Sequence, residues 1–235
     1  MRRPWTITDF ALVWLAGELG SIAFLGLGEA TSLDDTLILV SLAGHFLGIL
    51  AVYWFLARRK REPGIGLALE PKDIRYVGLG ILLQISSALL VEPLARVIYP
   101  EGGPPQEIAD AFADPGATLL FKLSLFSAVV LFAPLTEELM YRGILLKAVE
   151  HRGRWFAFLA TSLVFTAVHV LGLDPNNMVG SAAIVLPPIF ILGILLAWIT
   201  DRTGRLGPAI FLHSGWNLLA ALVFLIPIEV LESLE

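Results

Sequence analysis

An all-α, polytopic transmembrane bundle of about seven to eight helices is the fold this sequence predicts, and three observations predict it. Apolar residues make up 57% of the 235 and charged residues only 16%, well outside the usage of soluble domains. Mean hydropathy is +0.79. Apolar runs repeatedly approach the ~20 residues that a helix needs to cross a bilayer. The chain reads as a single integral membrane domain over 1–235, with its chemically interesting residues gathered in 118–220.

Apolar stretches bounded by charge, Pro or Gly give seven candidate spans: residues 10–28, 36–57, 74–98, 118–146, 155–173, 181–200 and 206–228. The first follows Arg2 and Arg3, as a secretory signal would, but it runs too long, carries Glu18 and is succeeded by further spans, so it reads as a retained helix. Pro134 is expected to kink the fourth span near its acids, and Pro187-Pro188 to bend or break the sixth. An eighth, re-entrant or broken segment would move the C-terminus to the other side. We find no internal repeat and no symmetry between halves.

Loop charge sets the expected orientation, because Lys and Arg accumulate on the cytoplasmic side. Arg2 and Arg3, then Arg58 to Arg61, Lys147 to Arg154, and Arg202 with Arg205 fall on alternate loops. The intervening loops, Glu29 to Asp35, the acidic linker Tyr99 to Ala117 with its four prolines, and Asp174 to Gly180, contain no base. Seven spans then place the N-terminus in the cytoplasm and the acidic tail from Glu229 outside. Membrane lipid is one expected partner, and the Arg58 to Arg61 cluster suits an anionic inner leaflet. The net charge of −5 comes with no basic patch suited to nucleic acid.

The chain has no cysteine, which removes disulfides, thiolate nucleophiles and cysteine metal ligands. Carboxylate, imidazole and hydroxyl groups remain. A charged group at the bilayer centre costs about 2.5 to 3.5 kcal/mol on insertion scales and persists where it is paired or functional. Three spans carry such groups: Glu137, Glu138 and Arg142 in the fourth, Phe165 and His169 in the fifth, His213 and Asn217 in the seventh.

Residues four apart share a helix face. Glu138 is therefore expected to pair with Arg142, while Glu137, about 100° around the helix, is left available. His213 and Asn217 project a ring nitrogen and an amide in one direction, and Phe165 can pack beside His169. Each group alone has a plain structural reading as an ion pair, an interior histidine or an interhelical contact. Together they place acid, base and amide groups in one half of the chain. Counted at ~1.5 Å per residue from the basic loops, their depths differ by roughly 10 Å, so tilt, or a fifth helix that starts inside the bilayer, is needed to bring them together.

These motifs, Glu-Glu-x-x-x-Arg, Phe-x-x-x-His and His-x-x-x-Asn in this order, resemble those of the CAAX protease and bacteriocin-processing (CPBP, or ABI) family of intramembrane proteases, which includes the Ras-converting type of CAAX prenyl endopeptidase. The resemblance covers about residues 118–220. It implies a peptide hydrolase in which Glu137 and His169 activate water, His213 and Asn217 stabilise the oxyanion, and Glu138, Arg142 and Phe165 support the site. The implied substrate is a peptide or a prenylated CaaX protein that loses its last three residues, and a site open to the cytoplasmic half of the bilayer would suit the latter. Zinc held by Glu137, His169 and His213 is the alternative chemistry; we expect none, because the helical His-Glu-x-x-His signature is absent.

Two other function classes compete with the protease. A proton-coupled transporter also uses intramembrane carboxylates and histidines, and a non-catalytic scaffold or immunity protein could share the fold. Glu18, His45, Gln84, Glu92 and Arg96 are further polar residues within or near spans. Glu92 and Arg96 read as an ordinary ion pair near a helix end, and His45 as a lone, hydrogen-bonded packing residue.

Overall fold

A computed structural model describes residues 5–30, 36–60, 66–100, 110–112, 114 and 116–225. Arg2, Arg3, Arg61, the loop 31–35 and the tail 226–235, which carry part of the expected charge asymmetry, lie outside the described residues. Seven long helices are present among the described residues, and no strand. They are α1 (Ile7–Ala30), α2 (Leu37–Lys60), α3 (Arg75–Ile98, entered through a 3₁₀ turn at Pro71–Ile74), α4 (Leu119–Arg152), α5 (Arg154–Val168, continued by a 3₁₀ turn at His169–Gly172), α6 (Met178–Thr203) and α7 (Gly207–Leu225). Each falls on one of the seven expected spans. Six are long and apolar enough to cross a bilayer, and the seventh has an apolar stretch over Gly207–Val223. The chain is an integral, multi-pass membrane protein.

Helices in lipid gain little from burying apolar side chains against one another, so they pack where small residues let backbones approach. Two pairs do this here. Between α1 and α2, a Cβ placed on Gly20 would lie 2.2 Å from the carbonyl oxygen of Gly44, and one on Gly48 would lie 2.0 Å from that of Ala16. Between α3 and α7, a Cβ on Gly80 would lie 2.0 Å from the Leu212 oxygen and one on Gly215 2.2 Å from that of Val77. Only glycine permits such contacts, and Gly215 sits between His213 and Asn217. The start of α7 is pinned as well. Buried Asp73 accepts two 2.7 Å hydrogen bonds from Arg205, and Leu206 N–H donates to Gly66 O at 2.8 Å.

The main core is where α4 meets α1, α5, α6 and α7: Tyr141, Ile144, Phe158, Phe165, Ala197 and Ile210 pack with Phe10 and Val13 of α1. The two proline expectations resolve differently. Pro187 and Pro188 do not break α6, which runs unbroken through both; its neighbours hold an element that the prolines alone would weaken. Pro134 lies just beyond a π-helical segment, Ala128–Phe132, and a second one, Leu139–Leu145, follows the acids. Wider π turns are a common adjustment at functional sites.

Gly215→Leu is expected to push α7 off α3 and lower stability by about 3 kcal/mol or more, read as the thermal midpoint in detergent. Gly78→Leu is the control: a Cβ there meets nothing within 4 Å, so that variant should melt as the parent does.

Candidate active site

The centre is a buried carboxylate. Glu138 on α4 is fully buried, and its Oε1 accepts from Arg142 Nη1 at 3.0 Å and from His213 Nδ1 at 2.9 Å. The pairing with Arg142, one turn along, is the one that spacing predicts. The contact from α7 closes the bundle around it. Arg142, itself fully buried, also donates Nη2 to the Gly193 carbonyl of α6 at 3.0 Å and lies 4.6 Å from the Phe165 ring centroid. Four helices thus meet at one ion pair.

Glu137 faces elsewhere, as its 100° offset requires. Its side chain keeps 27% exposure, and its Oε2 stands 3.7 Å from His213 Nε2. His213 is therefore held between the two carboxylates, Nδ1 on the paired one and Nε2 toward the open one. Phe165 packs edge-on against both imidazoles, 5.0 Å from His169 and 5.7 Å from His213. This one ring joins the fifth and seventh spans at the two imidazoles.

Hydrogen bonding assigns the imidazole tautomers. A backbone carbonyl can only accept, so His169, whose Nδ1 lies 2.8 Å from Phe165 O, donates there and keeps Nε2 as its free nitrogen. A carboxylate paired with arginine likewise only accepts, so His213 donates Nδ1–H to Glu138 and turns Nε2 toward Glu137.

Asn217 donates Nδ2 to Val129 O at 2.9 Å, and the backbone explains why that oxygen is free. In the π turn the N–H of Ala133 donates to Ala128 O, and the next residue, Pro134, has no N–H. Val129 O is left without its helical donor, and a buried carbonyl must find another. Asn217 supplies it, which fixes the amide one turn beyond His213 and leaves its second N–H uncommitted. Pro134 was legible in the sequence, but its partner Val129 O was not.

The structure adds groups that spacing did not reveal. Gly193 enters only through its carbonyl, and Tyr141 packs between Phe10 and Phe165 at 5.4 and 5.2 Å. His45 is not alone: its Nδ1 is 3.8 Å from Glu18 Oε1. Glu92 and Arg96 form the exposed ion pair expected of them. Among the described residues no group of three His, Asp or Glu side chains is arranged to hold an ion; the Nδ1 contacts of the two imidazoles leave Nε2 of each as the nitrogen that can meet a substrate, water or ion.

A centre of this kind, with a partly open carboxylate, a free imidazole nitrogen and two groups able to donate, suits attack of water on a carbonyl. A protein of Escherichia coli described as an uncharacterized 24.3 kDa protein is 28% identical over 156 residues, which are 65% of this chain and 61% of that relative. The chain thus spans about three fifths of the relative's length. No solved structure matches. Residues 119–219 match the family model described as type II CAAX prenyl endopeptidase, Rce1-like, and the matched stretch holds Glu137, Glu138, Arg142, Phe165, His169, His213 and Asn217.

Proposed function

We propose that the chain is an intramembrane endopeptidase whose water is activated by Glu137 and His169 without a metal. The observation that carries this reading is the position of His213, oriented through Nδ1 by Glu138 and facing Glu137 across 3.7 Å. A water between Glu137 and the free Nε2 of His169 gives its proton to Glu137 as its oxygen bonds to the scissile carbonyl carbon. The oxyanion that forms is received by His213, through Nε2–H, and by the second N–H of Asn217. The C–N bond then breaks as Glu137 returns the proton to the leaving nitrogen, giving an amine and a carboxylic acid, which gives up its remaining proton to solvent on release.

The family match supports a CAAX-type substrate: a prenylated CaaX protein that loses its terminal tripeptide, presented from the cytoplasmic half of the bilayer. The bases Lys147, Arg152, Arg154, Arg202 and Arg205 lie at or near the α4–α5 and α6–α7 junctions, on one side of the chain's alternation, which supports that orientation. In this reading Glu138 and Arg142 touch neither water nor substrate; they position His213.

Glu137→Ala should lose at least about 100-fold in turnover while melting as the parent does, measured with a farnesylated CaaX peptide beside its unmodified counterpart, of which the farnesylated one should be cut faster. Arg142→Ala should lose activity and also about 3 to 5 kcal/mol of stability, because it leaves Glu138 buried and unpaired. Protein purified without added zinc should contain well under one zinc per chain and keep its activity in chelator; stoichiometric zinc and loss of activity on chelation would favour the metal mechanism instead.

A further inference from the structure

Arg142 also lines a cavity of about 150 Å³ between α4, α5 and α6, to which Glu137 and Glu138 do not contribute. At ~30 Å³ per water it has room for about five water-sized groups. Arg142 and Thr200 line it, both buried, and Arg142 Nε and Thr200 Oγ1 have no hydrogen-bond partner among the described residues. Two unsatisfied buried polar atoms beside one cavity imply a polar occupant.

The charged lining indicates what kind. It includes two bases, Lys147 and Arg154, and two acids, Glu150 and Asp201. Arg154 and Asp201 pair with each other, whereas Lys147 and Glu150 form no ion pair among the described residues. The first turn of α5 also lines the cavity, and Gly153 before it offers no side-chain cap, so the positive end of that helix is open to an anion. A simple anion would meet both acids and a simple cation both bases. A small zwitterion matches the set.

The surroundings place that zwitterion at a lipid surface. Trp155 and Phe156 on α5 and Trp198 on α6 are exposed close in sequence to the cavity's charged residues, and large aromatic side chains collect where a membrane meets water. Arginines stack near two of these rings, Arg152 by Phe156 and Arg202 by Trp198. Phe158 is the one aromatic ring lining the cavity, too few for the cage that a quaternary ammonium favours, whereas a primary ammonium has N–H groups that carboxylates can accept.

We propose that this cavity binds the phosphoethanolamine headgroup of a membrane phospholipid, with the phosphate on Lys147, Arg154 and the first turn of α5 and the ammonium on Glu150 and Asp201. The headgroup would lie against the guanidinium that holds Glu138. The site is separate from the proposed catalytic groups, and its test reads binding, so it stands or falls apart from the protease reading.

The test is titration of the full chain in detergent with dihexanoyl phosphatidylethanolamine, phosphatidylcholine and phosphatidylglycerol, read by native mass spectrometry. The ethanolamine lipid should bind about ten-fold tighter than either of the others, a difference of about 1.4 kcal/mol. Lys147→Ala should weaken both the ethanolamine and glycerol lipids, whereas Glu150→Ala should weaken the first and strengthen the second. Both side chains are exposed, and unchanged melting would verify that the variants fold. Free O-phosphoethanolamine is the remaining arm: weaker binding than the lipid identifies a membrane source, and equal binding identifies a soluble compound with the same headgroup chemistry. Equal affinity for the three lipids, or no response to either substitution, would overturn the proposal and leave a cavity filled by water.

Discussion

The carboxylate of Glu138 is the constraint on which the rest of the molecule depends. Removed from water on every side, it is tolerable only because Arg142 neutralises it and His213 donates to it. Satisfying one oxygen draws in three helices: α4 supplies acid and base, α7 the imidazole, and α6 the Gly193 carbonyl that takes the remaining reach of the arginine. A pairing that looks local in sequence, four residues along one helix, is therefore also a tertiary lock. Its consequence for chemistry is indirect. It sets which nitrogen of His213 faces Glu137, and so converts a structural ion pair into an oriented site.

Two further devices keep that site in register, and both concern backbone. The glycine contact of α7 with α3 puts the two main chains against each other at Gly80 and Gly215, while Asp73 and Arg205 fix where α7 begins. At the other end of the constellation, Pro134 and the π turn before it free the Val129 oxygen, and Asn217 binds it. A proline that would be a defect in an isolated helix becomes the reason for an asparagine on another. In lipid this exchange is strongly enforced, since no bulk water is present to satisfy a stray carbonyl.

The same arginine has a polar face turned toward each of two spaces. One nitrogen holds Glu138, another holds Gly193, and the third is directed to no protein acceptor among the described residues. Arg142 thus belongs both to the candidate site and to the lining of the cavity between α4, α5 and α6. The first two helices stand apart from this core in a different sense. The family match begins only at residue 119, yet Phe10 of α1 packs against Tyr141.

The sequence by itself determined the fold class, the seven helices and the identity of the charged pair. Each depends on short-range periodicity: about 20 apolar residues per crossing, and a shared face for side chains four apart. It also indicated that Glu137 and Glu138 differ, because adjacent helical residues cannot face the same way. Only the tertiary structure decided that His213 belongs to Glu138, that Phe165 joins the two imidazoles, that Val129 anchors Asn217, that Glu18 lies beside His45, and that α6 survives two consecutive prolines. These contacts join residues from different helices, and what sets them is how closely backbones approach and which buried groups remain unsatisfied. Neither quantity is written in the spacing of any single helix.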